Sequence, residues 1–195
     1  MQSSYLTSAQ KANQLPEFEF PEVAFLGRSN CGKSSLLNTL LQRKNLAKKS
    51  STPGRTQMVN FFSLELSKEK QMIFADLPGY GFNIARKAIV REWEPLLEAY
   101  VDRKNLKACL FLCDSRRNFD EDEIDYIKWL GSKVPVLIVM TKIDKLKPKE
   151  LKDSQQQLIE NLVRNGLQGD VYWISNLNRL GIEELQKKIW HIGGF

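Results

Sequence analysis

An eight-residue segment near the start of the chain constrains its fold more than any other feature. Residues 27–34 read G-R-S-N-C-G-K-S, which matches the phosphate-loop pattern G-x-x-x-x-G-K-S. An apolar, strand-like run at 23–26 precedes it, and a helix-like run at 35–41 follows it. In that setting, consecutive backbone N–H groups turn toward phosphate oxygens at the positive end of a helix dipole. The segment therefore predicts an α/β domain that binds a nucleoside triphosphate.

Each residue of this phosphate loop has an expected place in the nucleotide complex. Lys33 should reach the outer phosphates, and the hydroxyl of Ser34 should bind a Mg²⁺ ion. The rest of the loop should contact the phosphates mainly through backbone N–H groups. These residues are Gly27, Arg28, Ser29, Asn30, Cys31 and Gly32.

Apolar runs of strand length alternate with amphipathic runs of helix length from residue 22 onward. Runs such as 108–113 and 134–140 are continuously apolar, which is typical of parallel strands covered on both faces. The four-residue connection 67–70 can only join its two strands as an antiparallel hairpin. The sequence predicts an α/β fold: a three-layer, doubly wound mixed sheet, mostly parallel, with one antiparallel edge strand. We expect strands near 22–26, 59–66, 71–75, 108–113, 134–140 and 170–174, and helices near 33–42, 84–102, 120–131, 149–165 and 180–191.

A length of 195 residues fits a single domain. We expect this domain to occupy residues 21–195 and a flexible extension to occupy residues 1–20. Pro95 lies inside an otherwise helical stretch, so a kink or a break is expected there. Three cysteines, one histidine and no C-x-x-C pair do not indicate a metal cluster, and we expect the cysteines to be buried thiols.

Hydropathy and charge narrow the class of protein. No apolar run approaches the ~18 residues of a membrane span, and the first residues lack the pattern of a secretory signal. We therefore expect a cytoplasmic protein without membrane contact.

The net charge of +6 is unevenly distributed along the chain: residues 43–58 carry no acid, whereas residues 120–125 hold five. This polarity favours an anionic partner, although a solvated basic loop would show the same charges. The cations of the basic segment are Arg43, Lys44, Lys48, Lys49 and Arg55.

The residues that distinguish guanine from adenine are expected directly after the apolar strand that ends at Met140. Residues 141–144 read T-K-I-D, and Asp144 can accept hydrogen bonds from N1–H and the 2-amino group of guanine. Adenine offers no matching pair of donors, and sites of this kind discriminate by about 10⁴ to 10⁵. The stem of Lys142 can cover the base, with Thr141 and Ile143 completing the box. The pattern favours GTP over ATP.

Two further boxes follow strands in the same way. Asp76-Leu77-Pro78-Gly79 forms a D-x-x-G switch, in which Asp76 should reach Mg²⁺ through water and the Gly79 N–H should meet the terminal phosphate. Ser175, Asn176 and Leu177 follow the strand near 170–174 and should supply backbone N–H groups to the guanine oxygen.

The loop between the phosphate loop and the D-x-x-G switch should complete the metal site. Residues 51–57 read S-T-P-G-R-T-Q, and one of the two threonines should bind Mg²⁺ when GTP is present. We favour Thr56, because it lies directly before the hairpin. Its neighbours should contact the nucleotide. These neighbours are Gly54, Arg55, Gln57 and Met58.

Five boxes in order and at these spacings predict the fold of a P-loop GTPase, of the class related to translation factors. The chain more specifically resembles the EngB family, also called YihA or YsxC, of bacterial ribosome-assembly GTPases. The resemblance rests on E-V-A-F-x-G-R-S-N-x-G-K-S at 22–34, T-P-G-R-T-Q at 52–57, D-L-P-G-Y-G at 76–81 and T-K-x-D at 141–144. It implies a role in maturing the large ribosomal subunit, with GTP-dependent binding to its precursor RNA and proteins, and an effect on cell division and septation.

The position after D-x-x-G is Tyr80, where many GTPases have the glutamine that orients the attacking water. The resemblance therefore implies slow hydrolysis of GTP, because positioning and charge neutralisation supply most of the catalysis of phosphoryl transfer. Related GTPases with an asparagine at the position of Asn30 use it to help bind K⁺, and we hypothesise the same here. Arg55 could act as an arginine finger, although we favour an RNA contact. The expected catalytic residues are Lys33, Thr56, Gly79 and Asn30.

We expect a monomer in which GTP orders residues 43–58 and presents their cations to RNA. One alternative is an RNA-binding assembly factor in which GTP is only structural, and Tyr80 is compatible with it. A scaffold at the division septum lacks support, since the sequence shows no basic amphipathic helix or lipid anchor. An ATPase is the least favoured, because of Asp144.

Overall fold

The computed structural model describes residues 1–47, 58–67, 69–79 and 86–195, without the side chains of 86–93. In these ranges, strands and helices alternate along most of the chain. The strands are β1 (Gln2–Ala9), β2 (Glu22–Gly27), β3 (Val59–Ser67), β4 (Lys70–Asp76), β5 (Leu106–Asp114), β6 (Val136–Thr141) and β7 (Val171–Trp173). The α-helices are α1 (Lys33–Leu40), α2 (Arg86–Val101), α3 (Glu121–Gly131), α4 (Pro148–Arg164) and α5 (Ile182–Ile192), and short 3-10 helices lie at Ala12–Gln14 and Ile143–Lys145.

The described strands form one sheet in the order β1-β3-β4-β2-β5-β6-β7. The pairs β4–β2, β2–β5, β5–β6 and β6–β7 are parallel, whereas β3 is antiparallel to both β1 and β4. β3 therefore runs against all the other described strands, and the predicted mixed, mostly parallel sheet is confirmed. β1 adds one strand outside β3, so β1 forms the edge of the sheet.

The strand β1 contradicts the expected flexible extension. It pairs with β3 from Gln2 opposite Glu65 to Ala9 opposite Val59. Ala9 is fully buried, and the Ser3 hydroxyl donates a hydrogen bond of 2.7 Å to the carbonyl of Leu41. No strand was predicted here because Q-S-S-Y-L-T-S-A is mostly polar, and the strand depends on backbone hydrogen bonds to β3 rather than on apolar periodicity.

The helix α2 continues from residue 86 to 101 through Pro95, so of the kink or break expected near Trp93-Glu94, the break does not occur. Pro95 is exposed, while Leu96, Leu97 and Tyr100 are buried against the sheet. A proline inside a helix costs about 3 kcal/mol. The burial of three large side chains in the next two turns offsets that cost.

Apolar side chains cover the sheet on both faces, which gives the three layers. On β2, Ala24 and Leu26 join the core that includes α2 and α3, whereas Val23 and Phe25 join the core that includes α1 and α5. β5 alternates in the same way. The parallel strands are thus held at the centre of the molecule, and their carboxyl ends meet at one edge, where open α/β sheets bind ligands.

The three cysteines are buried and free, as predicted. Burial raises the pKa of the Cys31 thiol to about 11 and that of the Cys109 thiol to about 12, so both stay protonated at neutral pH. No helix in the described part of the chain combines the length and hydrophobicity that crossing a membrane requires.

Deleting residues 2–9 should destabilise the domain, because the deletion exposes the β3 edge and the buried surface around Ala9. We expect the midpoint of thermal unfolding to fall by about 5 °C or more, which corresponds to about 2 kcal/mol in a chain of this size. Circular dichroism measures it. Leu6→Thr, an exposed and strand-compatible change on β1, is the control and should leave the midpoint nearly unchanged. An unchanged midpoint after the deletion would contradict a structural role for β1.

Candidate nucleotide-binding site

The phosphate loop turns sharply between the end of β2 at Gly27 and the start of α1 at Lys33. Two of its residues have left-handed backbone conformations: Asn30 with φ of 65° and Gly32 with φ of 105°. Glycine and asparagine adopt this conformation more readily than other residues. A side chain at Gly27 would collide with the carbonyl of Leu112, 2.5 Å from its Cβ position. Gly27, Asn30 and Gly32 are therefore residue types that suit this backbone path.

Two contacts hold the phosphate loop against its neighbours. The buried hydroxyl of Thr141, at the end of β6, lies 2.5 Å from the carbonyl of Cys31 and 3.1 Å from that of Cys113. The guanidinium of Arg28 donates a hydrogen bond of 2.7 Å to Asp120, which also accepts the N–H of Glu123 and so caps α3. The loop is thus fastened to a central strand and to a surface helix.

The phosphate end of the site contains the residues that the sequence assigned to it. The ammonium group of Lys33 forms an ion pair with the carboxylate of Asp76 at the end of β4, and both side chains are largely buried. Gly79 packs directly on the loop: a Cβ there would lie 3.3 Å from the backbone nitrogen and the hydroxyl of Ser29. Leu77 is fully buried, so its side chain belongs to the core and only its backbone can serve the site.

The residues predicted to bind Mg²⁺ fit that ion in their chemistry. Ser34 is the second residue of α1. Asp76 is the last residue of strand β4, and its carboxylate pairs with Lys33. A hydroxyl and a carboxylate are hard oxygen ligands, which Mg²⁺ prefers, together with water and phosphate oxygens.

The opposite end of the site holds Asp144 in a fixed orientation. Its carboxylate accepts a hydrogen bond of 2.6 Å from the hydroxyl of Ser175, and the Asp144 side chain is only 8% exposed. Ser175 is fully buried and also accepts the N–H of Asn178 at 3.1 Å. The segment after β7 therefore orients the carboxylate that is expected to bind guanine. Beside it, the side-chain oxygen of Asn176 is buried without a hydrogen-bond partner among the described residues.

Lys142 connects the two ends of the site. Its backbone is left-handed, with φ of 61°, and its ammonium group lies 2.5 Å from the carbonyl of Asn30 in the phosphate loop. The same ammonium group lies 3.0 Å from a carboxylate oxygen of Asp114, at the end of β5. The stem of Lys142 therefore runs from the T-K-I-D box toward the phosphate loop, as covering a base between them requires.

Asp114 was missed by the sequence reasoning. It also accepts hydrogen bonds from the backbone and the side chain of Arg116. Burial acts to raise the pKa of Asp114, but the hydrogen bonds from Arg116 and Lys142 outweigh it and lower the pKa well below its usual range. The available signal was its position: a carboxylate at the carboxyl end of a continuously apolar strand.

Part of the predicted site lies outside the described residues. This part comprises Gly54, Arg55, Thr56, Gln57 and the position after the switch, Tyr80. Met58 is described, and its sulfur lies 3.2 Å from the side-chain nitrogen of Gln10, beside β1. Leu177, which is also predicted to contact the nucleotide, is 73% exposed.

A phosphate loop between a strand and a helix, a D-x-x-G glycine packed on it and an oriented aspartate at the far end define a P-loop GTPase. The family model described as "50S ribosome-binding GTPase" matches residues 22–142. Over 83% of its length, the chain is 40% identical to the probable GTP-binding protein EngB of Citrifermentans bemidjiense, of which it covers 74%. This chain belongs to the EngB family of GTP-binding proteins.

Solved structures show the same fold. A crystal structure of a probable GTP-binding protein EngB matches with a TM-score of 0.66 at 20% identity, over 88% of this chain and 97% of that one. Era in complex with MgGDPNP and nucleotides 1506–1542 of 16S ribosomal RNA matches with a TM-score of 0.65 at 27% identity. That match covers 90% of this chain and 57% of Era.

Ser175→Ala should weaken guanine nucleotide binding, because Asp144 loses the hydrogen bond that orients it. A hydrogen bond to a charged group contributes about 1.5–3 kcal/mol, so we expect GDP affinity to fall about tenfold or more. Calorimetric titration measures it. Ser132→Ala is the matched control, since that hydroxyl only donates to the carbonyl of Trp129 at the end of α3. Equal GDP affinity in the Ser175→Ala variant and the parent would contradict this role.

Proposed function

We propose that this chain is a GTP-driven switch that acts in assembly of the large ribosomal subunit, and that normal cell division and septation depend on it. The observation that carries the proposal is that one sheet edge holds an oriented carboxylate at one end and a lysine–carboxylate pair beside the phosphate loop at the other. Asp144, which Ser175 orients, would bind guanine, and Lys33 with Asp76 would bind phosphate and its metal. The description of the matching family as 50S ribosome-binding supports the large subunit as partner, and the 16S ribosomal RNA bound to Era supports contact with ribosomal RNA in general.

Magnesium is the expected cofactor. Ser34 and Asp76 would hold it, the latter through water, with Thr56 as the further ligand when GTP is bound. When bound, Mg²⁺ neutralises negative charge on the terminal phosphates. In that complex Asp76 would serve the metal and Lys33 would serve the phosphates, in place of the ion pair that the two side chains form with each other.

The switch is expected to work through the segment that carries the basic residues. Its described part places Arg43 and Lys44 on the surface just after α1. Ordering of residues 43–58 by GTP would add further cations to this surface, and hydrolysis would release them. Gly79 of the D-x-x-G switch packs against Ser29 of the phosphate loop, so a terminal phosphate bound by this loop would lie close to Gly79. We further propose that the chain acts as a monomer, since both ends of the site belong to one chain and need no second copy, and that it acts in the cytoplasm, where ribosomes are assembled.

Pelleting with precursors of the large subunit tests the proposal. We expect binding with GTP and with a non-hydrolysable analogue, and much weaker binding with GDP. Neutralisation of five phosphates should give a slope of log K against log salt near about −4 to −5. Equal binding in all three nucleotide states would instead favour an RNA-binding factor in which GTP is only structural.

Charge reversal tests whether the basic segment 43–58 contacts the precursor of the large subunit. Lys48→Glu with Lys49→Glu should weaken precursor binding by at least about tenfold, because both lysines are expected at the RNA phosphates, and should leave GTP affinity unchanged. Lys187→Glu with Lys188→Glu is the matched control, since it makes the same change of charge on α5. If the two pairs weaken pelleting equally, the contact depends on net charge and not on this segment.

Hydrolysis is expected to be slow and to depend on K⁺. Tyr80 cannot supply the amide that orients water, and Asn30 lies exposed in the phosphate loop, where related GTPases use asparagine to help bind the ion. Turnover should be about tenfold or more faster in KCl than in NaCl, because a cation near the terminal phosphate stabilises developing charge. Asn30→Gly retains the left-handed backbone and should remove the difference. Equal turnover of the parent in both salts would contradict the hypothesis.

A further inference from the structure

The carboxyl end of β5 holds a buried carboxylate between two cations. Asp114 is 8% exposed, and the guanidinium of Arg116 binds it through two nitrogens, at 2.9 and 2.7 Å. The backbone N–H of Arg116 donates a third hydrogen bond, at 3.1 Å. Bidentate arginine contacts fix the plane of a carboxylate. Asp114 therefore presents one carboxylate oxygen in a fixed direction toward Lys142, directly after the carboxyl end of β6.

That oxygen meets Lys142. The ammonium group lies 3.0 Å from it and 2.5 Å from the carbonyl of Asn30, so one lysine spans a carboxylate and the backbone of the phosphate loop. The Lys142 side chain is 31% exposed, whereas that of Asp114 is 10% exposed. The carboxylate is therefore the buried partner that fixes the position, and the lysine is the more accessible group whose stem a ligand can contact.

We propose that Asp114 is a positioning residue for guanine nucleotides: it holds the Lys142 side chain across the site before the nucleotide arrives. This inference rests on the proposed binding of guanine by Asp144 and Lys142. A free lysine side chain samples many rotamers, and ordering it during binding lowers affinity. Because Lys142 already contacts Asp114 and the Asn30 carbonyl in the folded protein, its side chain loses this conformational entropy on folding and not on nucleotide binding.

The isosteric change Asp114→Asn tests the inference. The amide oxygen can still accept from Arg116, which leaves the amide NH₂ group facing the Lys142 ammonium, and two donors cannot form a hydrogen bond. If Lys142 then holds its position about a tenth of the time, affinity falls about tenfold. We expect the same loss for GDP and for a non-hydrolysable GTP analogue, because Lys142 contacts the base side of the site. Titration calorimetry measures both.

A double-mutant cycle separates positioning from structural support. In the Lys142→Ala background, Asp114→Asn should have little further effect on GDP affinity, since the group that Asp114 holds is gone. An equal loss in both backgrounds would overturn the inference and assign Asp114 a merely structural role. Asp114→Ser provides the same cycle if the asparagine variant does not fold.

The matched control is Asp102→Asn. Its carboxylate also lies 3.0 Å from a lysine, Lys133, but the pair is exposed on the surface. This variant should bind GDP like the parent. If the parent binds GDP and Asp114→Asn binds it equally well, the inference fails and the proposed function stands. If the parent itself binds no guanine nucleotide, the proposed function fails first.

Discussion

Burial of the central strands on both faces determines where the chemistry of this molecule lies. β2, β5 and β6 have no solvated face, so their polar side chains can only lie at their ends. Asp114 and Thr141 are the last residues of β5 and β6, Asp76 ends the neighbouring strand β4, and Ser175 lies just after β7; all four are buried. Buried polar groups require hydrogen-bond partners, and these residues find theirs in the phosphate loop and in one another's segments. The apolar core thereby assembles the polar site.

The charges of the site are arranged in pairs across this edge. Lys33 pairs with Asp76 near the expected terminal phosphate, and Lys142 pairs with Asp114 near the expected base. The two pairs differ in what a nucleotide would do to them. In the proposed complex the first pair would separate, because Lys33 would bind phosphate and Asp76 would serve the metal. The second pair could remain intact while the base lies on the stem of Lys142.

Elements of the structure could be predicted from the sequence where a hydrophobic pattern or a motif marks them. Continuous apolar runs predicted the buried parallel strands, and the phosphate loop with T-K-I-D predicted both ends of the site. β1 was missed because its residues are mostly polar and its stability comes from pairing with β3, whose paired residues lie 50 to 63 positions further along the chain. Asp114 was missed because a single aspartate has no spacing pattern. Its role depends on Asn30 and Lys142, which only the folded sheet brings together.

The link between Arg28 and Asp120 has a consequence for the acidic segment 120–125. One oxygen of Asp120 caps the first turn of α3, and the other binds the phosphate loop. Glu123, in the same segment, is fully buried. A cationic protein that drew Asp120 away would have to loosen both the first turn of α3 and the phosphate loop. The acidic segment thus has a structural role through Asp120 and Glu123, whereas its other acids, Glu121, Asp122 and Asp125, are exposed.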